Sequence, residues 1–200
     1  MVSMLNAGAL RPSSAAARLL SALTILLVAT GLSGCGAINR VPTLEEQAKS
    51  SWSEVQNQYQ RRADLIPNLV ETVKAYAAHE KDTLDAVIRA RNAAIAAPST
   101  PGAQAEADGV LTGALKQVFA LSEAYPDLKA NTNFLALQEE LTATEGRVAY
   151  ARQFYNDSVL AYNNSLQQFP TVIFARMMKF DRREYFEADA GSRDAPKVQF

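Results

Sequence analysis

Large apolar residues recur along this chain at intervals of seven, with companions three places further on, the pattern of helices that bury one stripe. One series runs Trp52, Tyr59, Ile66 and Val73, with Val55, Leu69 and Tyr76 as companions. A longer one runs Phe134, Leu141, Val148, Tyr155, Tyr162 and Phe169. Its companions are Leu137, Thr144, Ala151, Ser158 and Ser165, so large knobs alternate with small partners and a second helix can approach closely. Between the two series, Val110, Leu111, Ala114, Val118, Leu121 and Tyr125 supply one more apolar face. Strand-like alternation is absent from the pattern.

Punctuation sets the expected boundaries. Thr43-Leu44-Glu45-Glu46 has the form of a capping box, which starts a helix at 43. Pro67, with Asp64 as an N-cap three residues before it, splits the next stretch into helices over about 43–63 and 65–97. The apolar register runs unbroken across Pro67, and a single kinked helix is the alternative. Ala97-Pro98-Ser99-Thr100-Pro101-Gly102 is a loop. A third helix is predicted over about 103–124, ended by Pro126, and a fourth from Phe134 to Phe169, about 50 Å long at ~1.5 Å per residue. Val172 to Phe180 is read as a cover for the bundle end. The alternative is an edge that touches membrane or a partner, with Arg176 and Lys179 at headgroup level. Residues 189–200 are expected to be disordered. Long helices with short connections predict an all-α bundle.

The beginning of the chain reads as an address. No acidic residue precedes Glu45, and Arg11 and Arg18 lead into the apolar run Leu19 to Leu32. Small residues and a lone cysteine, Leu32-Ser33-Gly34-Cys35, close it. Basic, apolar and small segments in that order make a secretory signal, and the last tetrapeptide resembles the bacterial lipobox, where cleavage precedes a lipidated cysteine. Residues 1–35 are therefore expected to be a signal peptide ending in lipidated Cys35, or an uncleaved membrane anchor. Residues 36–42 are a short tether and 43–188 the bundle. Either form of attachment leaves the bundle on the non-cytoplasmic side, because the arginines stay inside. The choice of inner or outer membrane stays open.

Composition narrows the chemistry. The 20 Lys+Arg nearly cancel the 21 Asp+Glu of the 200 residues, which argues against a nucleic-acid surface built on positive charge. One Cys excludes an internal disulfide and cysteine-rich zinc sites; one His, His79, excludes two-histidine metal motifs. His79-Glu80 opens like HExxH, but residue 83 is Thr. Arg61, Arg62 and Asp64 are read as helix-end charges pairing with neighbours, in preference to an anion site. Glu145 and Arg152, two turns apart beside the apolar seam, are the candidate interior polar pair, either tuning a pocket or fixing helix register by an ion pair with another helix through Arg62 or Lys74. Tyr155-Asn156 and Tyr162-Asn163 place amides where helix propensity would not choose them, to bond between helices or to line a binding face. No catalytic residue, metal site or cofactor is predicted.

Several stretches together resemble the LemA family of bacterial membrane-associated proteins. They include Ser51-Trp52-Ser53-Glu54-Val55, Tyr59 through Lys74, Tyr125 through Asn131, Asn133-Phe134, Leu137-Gln138 and Glu140-Leu141. Arg152, Tyr155-Asn156, Tyr162-Asn163, Phe169-Pro170 and Tyr185 through Ala188 complete the match, which spans roughly 44–188. The resemblance implies an antiparallel four-helix bundle outside an N-terminal membrane anchor, with no family catalytic residues to carry over. One relative's part in forming magnetosome membranes points to envelope or membrane organisation. The expectation is a non-catalytic scaffold or interaction protein, held at the membrane and meeting protein partners in the envelope. A small-ligand or sensor domain using the interior polar line is the alternative.

Overall fold

The computed structural model describes the backbone of residues 14–187 and the side chains of residues 21, 22 and 39–187. The first 13 residues of the expected signal or anchor, the side chain of Cys35 and the tail expected to be disordered lie outside the described residues. All described elements are helical: α1 (Ser14–Lys74), α2 (Lys81–Ala96), α3 (Pro101–Ala124), α4 (Pro126–Lys129), α5 (Thr132–Ser165) and α6 (Thr171–Met177).

Helices α1, α2, α3 and α5 make an antiparallel bundle. Along α1 and α5 the partners run in opposite order: Val41 clusters with Tyr162 and Leu166, Ser51 meets Ser158, Tyr59 meets Arg152, and Arg61 meets Glu140. The heptads explain this pairing. Phe134, Leu141, Val148, Tyr155 and Tyr162 are all buried, and so are their small companions Thr144, Ala151, Ser158 and Ser165. The Ser51 and Ser158 hydroxyls lie 2.9 Å apart inside the seam, a close approach that only small side chains permit. On α1, Val55, Ile66, Leu69 and Val73 are buried; each such large side chain contributes roughly 1.5–3 kcal/mol of burial. Leu84, Val87 and Ala90 of α2 and Leu111, Leu115 and Val118 of α3 complete the core at the far end from α6.

Four sequence expectations are corrected. First, Pro67 does not divide the chain: α1 continues to Lys74, and the break falls in the turn at Ala75–Glu80. Proline cannot donate the N–H that would reach the carbonyl of Ala63. That carbonyl accepts instead from Nε of Arg91 on α2 at 2.8 Å, so the buried acceptor is satisfied and the helix runs on. Second, Thr43 is not a cap. It lies within α1 and its hydroxyl donates to the Asn39 carbonyl four residues back at 2.8 Å. Residues 36–42 are accordingly helical, and the bundle core starts at Val41. Third, Phe169 drops out of the α5 stripe, because the helix ends at Ser165 and Phe169 stands 82% exposed in the following turn. Fourth, Val110 points to solvent; the buried row of α3 is Asp108, Leu111, Leu115 and Val118.

Past α6 the chain becomes an extended strap, residues 181–187, which returns along α5.

Candidate functional site

A charge cluster lies where α1, α3 and α5 meet. Arg62 occupies the apolar row of α1 between Tyr59 and Ile66 and is only 2% exposed, so the helix-end reading is wrong for it. Its Nη1 donates to Oδ1 of Asp108 at 2.7 Å, and its Nη2 donates to the Thr112 hydroxyl at 3.0 Å. The other carboxylate oxygen of Asp108 accepts from Nη2 of Arg152 at 2.9 Å. Arg152 spends its Nε on the Tyr59 hydroxyl at 2.7 Å, and its guanidinium lies over the rings of Tyr59 and Phe186. One carboxylate on α3 thus links an arginine on α1 to an arginine on α5. A buried charge is tolerated only when paired and hydrogen-bonded, and here each carboxylate oxygen has its own guanidinium. Burial nonetheless pushes the Asp108 carboxyl above its ordinary range, the two arginines pulling it back. Burial also raises the Tyr59 phenol to about 12.

The two candidate interior residues, Glu145 and Arg152, differ in burial, and each faces a charge on another helix. Arg152 enters the cluster; Glu145 stays at the rim with its side chain 53% exposed, 3.9 Å from Nη2 of Arg62. The reason is local. At the level of Glu145 the helices leave a cavity of about 200 Å³ bordered by Thr112, Lys116 and Thr142, and a carboxylate that stays solvated there avoids desolvation. The neighbouring charges follow the expected pairing: Arg61 binds Glu140 at 2.8 Å and Asp64 accepts from Gln60 at 2.7 Å. Two arginines, from α1 and α5, hold Glu140, and their hydrogen bonds keep its carboxyl below the usual range.

The Tyr-Asn pairs form a clasp for main chain. Asn156 donates to the Phe186 carbonyl at 3.0 Å and accepts from the Phe186 N–H at 2.9 Å. One heptad on, Asn163 makes the same two bonds with Arg183, at 2.9 and 3.0 Å. The hydroxyls of Tyr155 and Tyr162 donate to the carbonyls of Glu184 and Asp181 at 3.1 and 2.9 Å. The spacing has a simple origin. Seven helical residues rise about 10.5 Å, close to the span of three extended residues at ~3.3 Å each. Asparagines seven apart on α5 therefore meet backbones three apart on the strap. Side chains lock the fit: Phe186 packs on Trp52 and Tyr155, and Arg183 reaches Glu45 at 3.3 Å.

Sequence reasoning missed Asp108 and the burial of Arg62. Both signals were present as positions, since each stands in a buried apolar row. Among the described residues there is no group of three ligand-type side chains that could hold a metal, and no helix long and apolar enough to cross a membrane.

Outside the core, α5 and α1 border a shallow apolar groove of about 660 Å³, with Ala143 and Gly146 in it and Tyr150 and Phe154 exposed beside it. The cavity next to Tyr59 and Asp108 is about 140 Å³.

Comparison with known proteins agrees with this architecture. Residues 51–200 match the LemA family. The magnetosome protein MamQ of Magnetospirillum gryphiswaldense is 27% identical over 186 residues, covering 80% of this chain and 68% of that protein. Magnetosome proteins MamQ 1 and MamQ 2 of Paramagnetospirillum magneticum are each 31% identical over 81 residues, covering 40% of this chain and 30% of theirs.

Proposed function

The chain belongs to the LemA family, and from that premise we propose that it is a membrane-tethered, non-catalytic interaction protein of the bacterial cell envelope. The family and the magnetosome relative support membrane association. One observation carries the finer reading. The carboxylate of the interior is shared between two guanidiniums, leaving Nε of Arg62 as the one buried donor of the cluster without a partner among the described residues, while large apolar side chains, Tyr150 and Phe154, stand exposed beside a groove. A chemistry-bearing or ligand-binding interior would need free polar groups and room for a ligand, and ligand pockets run from about 300 to 1,000 Å³. The cavity beside Tyr59 and Asp108 is smaller, at about 140 Å³. A groove with aromatic edges and a small-residue floor suits an added helix or loop of a protein partner.

Attachment is proposed to run through Cys35, as a lipidated residue after cleavage or within an uncleaved anchor. Mass spectrometry of the mature chain against a Cys35→Ser chain separates the two. For the interaction surface, a photo-crosslinking residue placed at position 154 of the full chain in its native envelope should yield discrete protein adducts that are absent when it is placed at Glu106. Equal background at both positions would count against the partner reading.

A further inference from the structure

We propose that the α6 corner is a second membrane contact, seated on an anionic phospholipid surface, which fixes the orientation of the bundle above the bilayer. This rests on the reading that the N-terminal segment tethers the chain to a membrane.

The corner has the composition of an interfacial element. Phe169, Ile173 and Met177 are 82%, 57% and 71% exposed, although each would be sheltered in an ordinary bundle end. Arg176, Lys179 and Arg182 are exposed among them, and none makes an ion pair among the described residues. Asp181 is the only acid between 169 and 183. Apolar side chains entering the headgroup boundary, with cations at the phosphates, are how monotopic segments hold to anionic lipid.

Position in the fold supplies the occupant. The inner side of α6 is pinned by Ala175 against Val41 and Tyr162, so the outer side cannot turn inward. Val41 lies on the same helix as the apolar run that ends at Leu32. Nine helical residues separate them, a rise of about 13 Å. The headgroup layer takes up roughly 5–7 Å of that distance. Leu166, at the end of α5, clusters with Val41, so the turn that carries Phe169 lies at the end of the bundle where α1 enters from the apolar run. Whether the bilayer holds the apolar run or acyl chains on Cys35, six residues before Val41, it faces this corner of the bundle.

The test uses the full chain reconstituted in vesicles of neutral phospholipid mixed with phosphatidylglycerol. Phe169→Trp provides a probe, with the parent chain, carrying Trp52 alone, as background. The expected result is blue-shifted emission from position 169 and quenching by brominated lipid. Both should be lost when Arg176, Lys179 and Arg182 are replaced by glutamate, with helicity unchanged in circular dichroism. Vesicle flotation of the same samples distinguishes the two ideas. A chain that floats while position 169 stays water-exposed and unquenched overturns the corner contact alone. A chain that does not float overturns the tether and the contact together.

Discussion

Nε of Arg91 donates to the backbone carbonyl of Ala63 at 2.8 Å, across the interface between α2 and α1. Ala63 is four residues before Pro67, so this carbonyl is the one that loses its helical donor to the proline ring. A side chain from the next helix thus supplies the bond that the sequence of α1 cannot.

Removing Arg91 should therefore matter in proportion to what stands at position 67. Arg91→Ala is expected to cost about 1–3 kcal/mol, the penalty of a buried acceptor left unpaired. In a Pro67→Ala background the main chain can donate to Ala63, and the cost should fall by about 1 kcal/mol. A double-mutant cycle in urea measures the coupling. Additive effects would mean that the arginine acts by packing alone.

The linkage through Asp108 gives a second expectation. Asp108→Ala leaves Arg152 without a counter-charge and Arg62 with only the solvated carboxylate of Glu145 at 3.9 Å, and breaking a buried pair in this way costs about 3–5 kcal/mol. Replacing Arg62, Asp108 and Arg152 together with Met, Leu and Met should be nearly neutral, or stabilising by ~1–4 kcal/mol, if the cluster sets register more than stability. Chemical unfolding of the single and triple variants decides it. A triple variant as unstable as Asp108→Ala would show that the ion network itself supplies stability.

The fold was legible where one physical signal dominated. Heptads on α5 placed Phe134 through Tyr162 in the core, and the small companions foretold the close seam with α1. The break at Ala75–Glu80 was not legible. AYAAHE has no proline or glycine, and the turn exists because the stripe of Leu84, Val87 and Ala90 must fold back on Ile66, Leu69 and Val73. Pro67 misled for the complementary reason: the local penalty was real, and a tertiary bond from Arg91 removed it. Asp108 and Arg62 looked like surface charges by residue type. Position contradicted type, because Arg62 fills the slot three places after Tyr59 and Asp108 stands three before Leu111. Glu145 shows the limit of such reasoning, since a place beside the seam did not bring burial where the neighbouring helices part.

Tyr59 ties the cluster to pH. Its folded phenol titrates at about 12 against an ordinary 10.0, chiefly because of burial. The folded state therefore keeps a proton that the unfolded state gives up above pH 10, so this contribution is complete below pH 10 and lost as pH rises to about 12. Tyr59→Phe removes it and strands Nε of Arg152, costing about 1–3 kcal/mol at neutral pH. The gap between parent and variant should narrow steadily above pH 10 in stability measured by urea. A gap that holds constant across that range would mean that the phenol titrates normally.

The asparagine clasp should be severable from the bundle. Asn156 and Asn163 bond to the strap's main chain, two bonds each, while the α1–α5 seam is built from other residues. At about 0.5–1.5 kcal/mol per bond, Asn156→Ala with Asn163→Ala takes away enough to free the strap without melting the helices. Arg183 would then present an unbonded backbone, and trypsin should cut after Arg182 or Arg183 about tenfold faster or more, since ~1.4 kcal/mol is a factor of ten in the open population. Thermal unfolding followed by helicity should move little. Asn164→Ala, on the exposed side of the same turn, serves as the control. Unchanged cleavage in the double variant would assign the strap's hold to Phe186 in its aromatic seat, and Phe186→Ala would then be the variant that releases it.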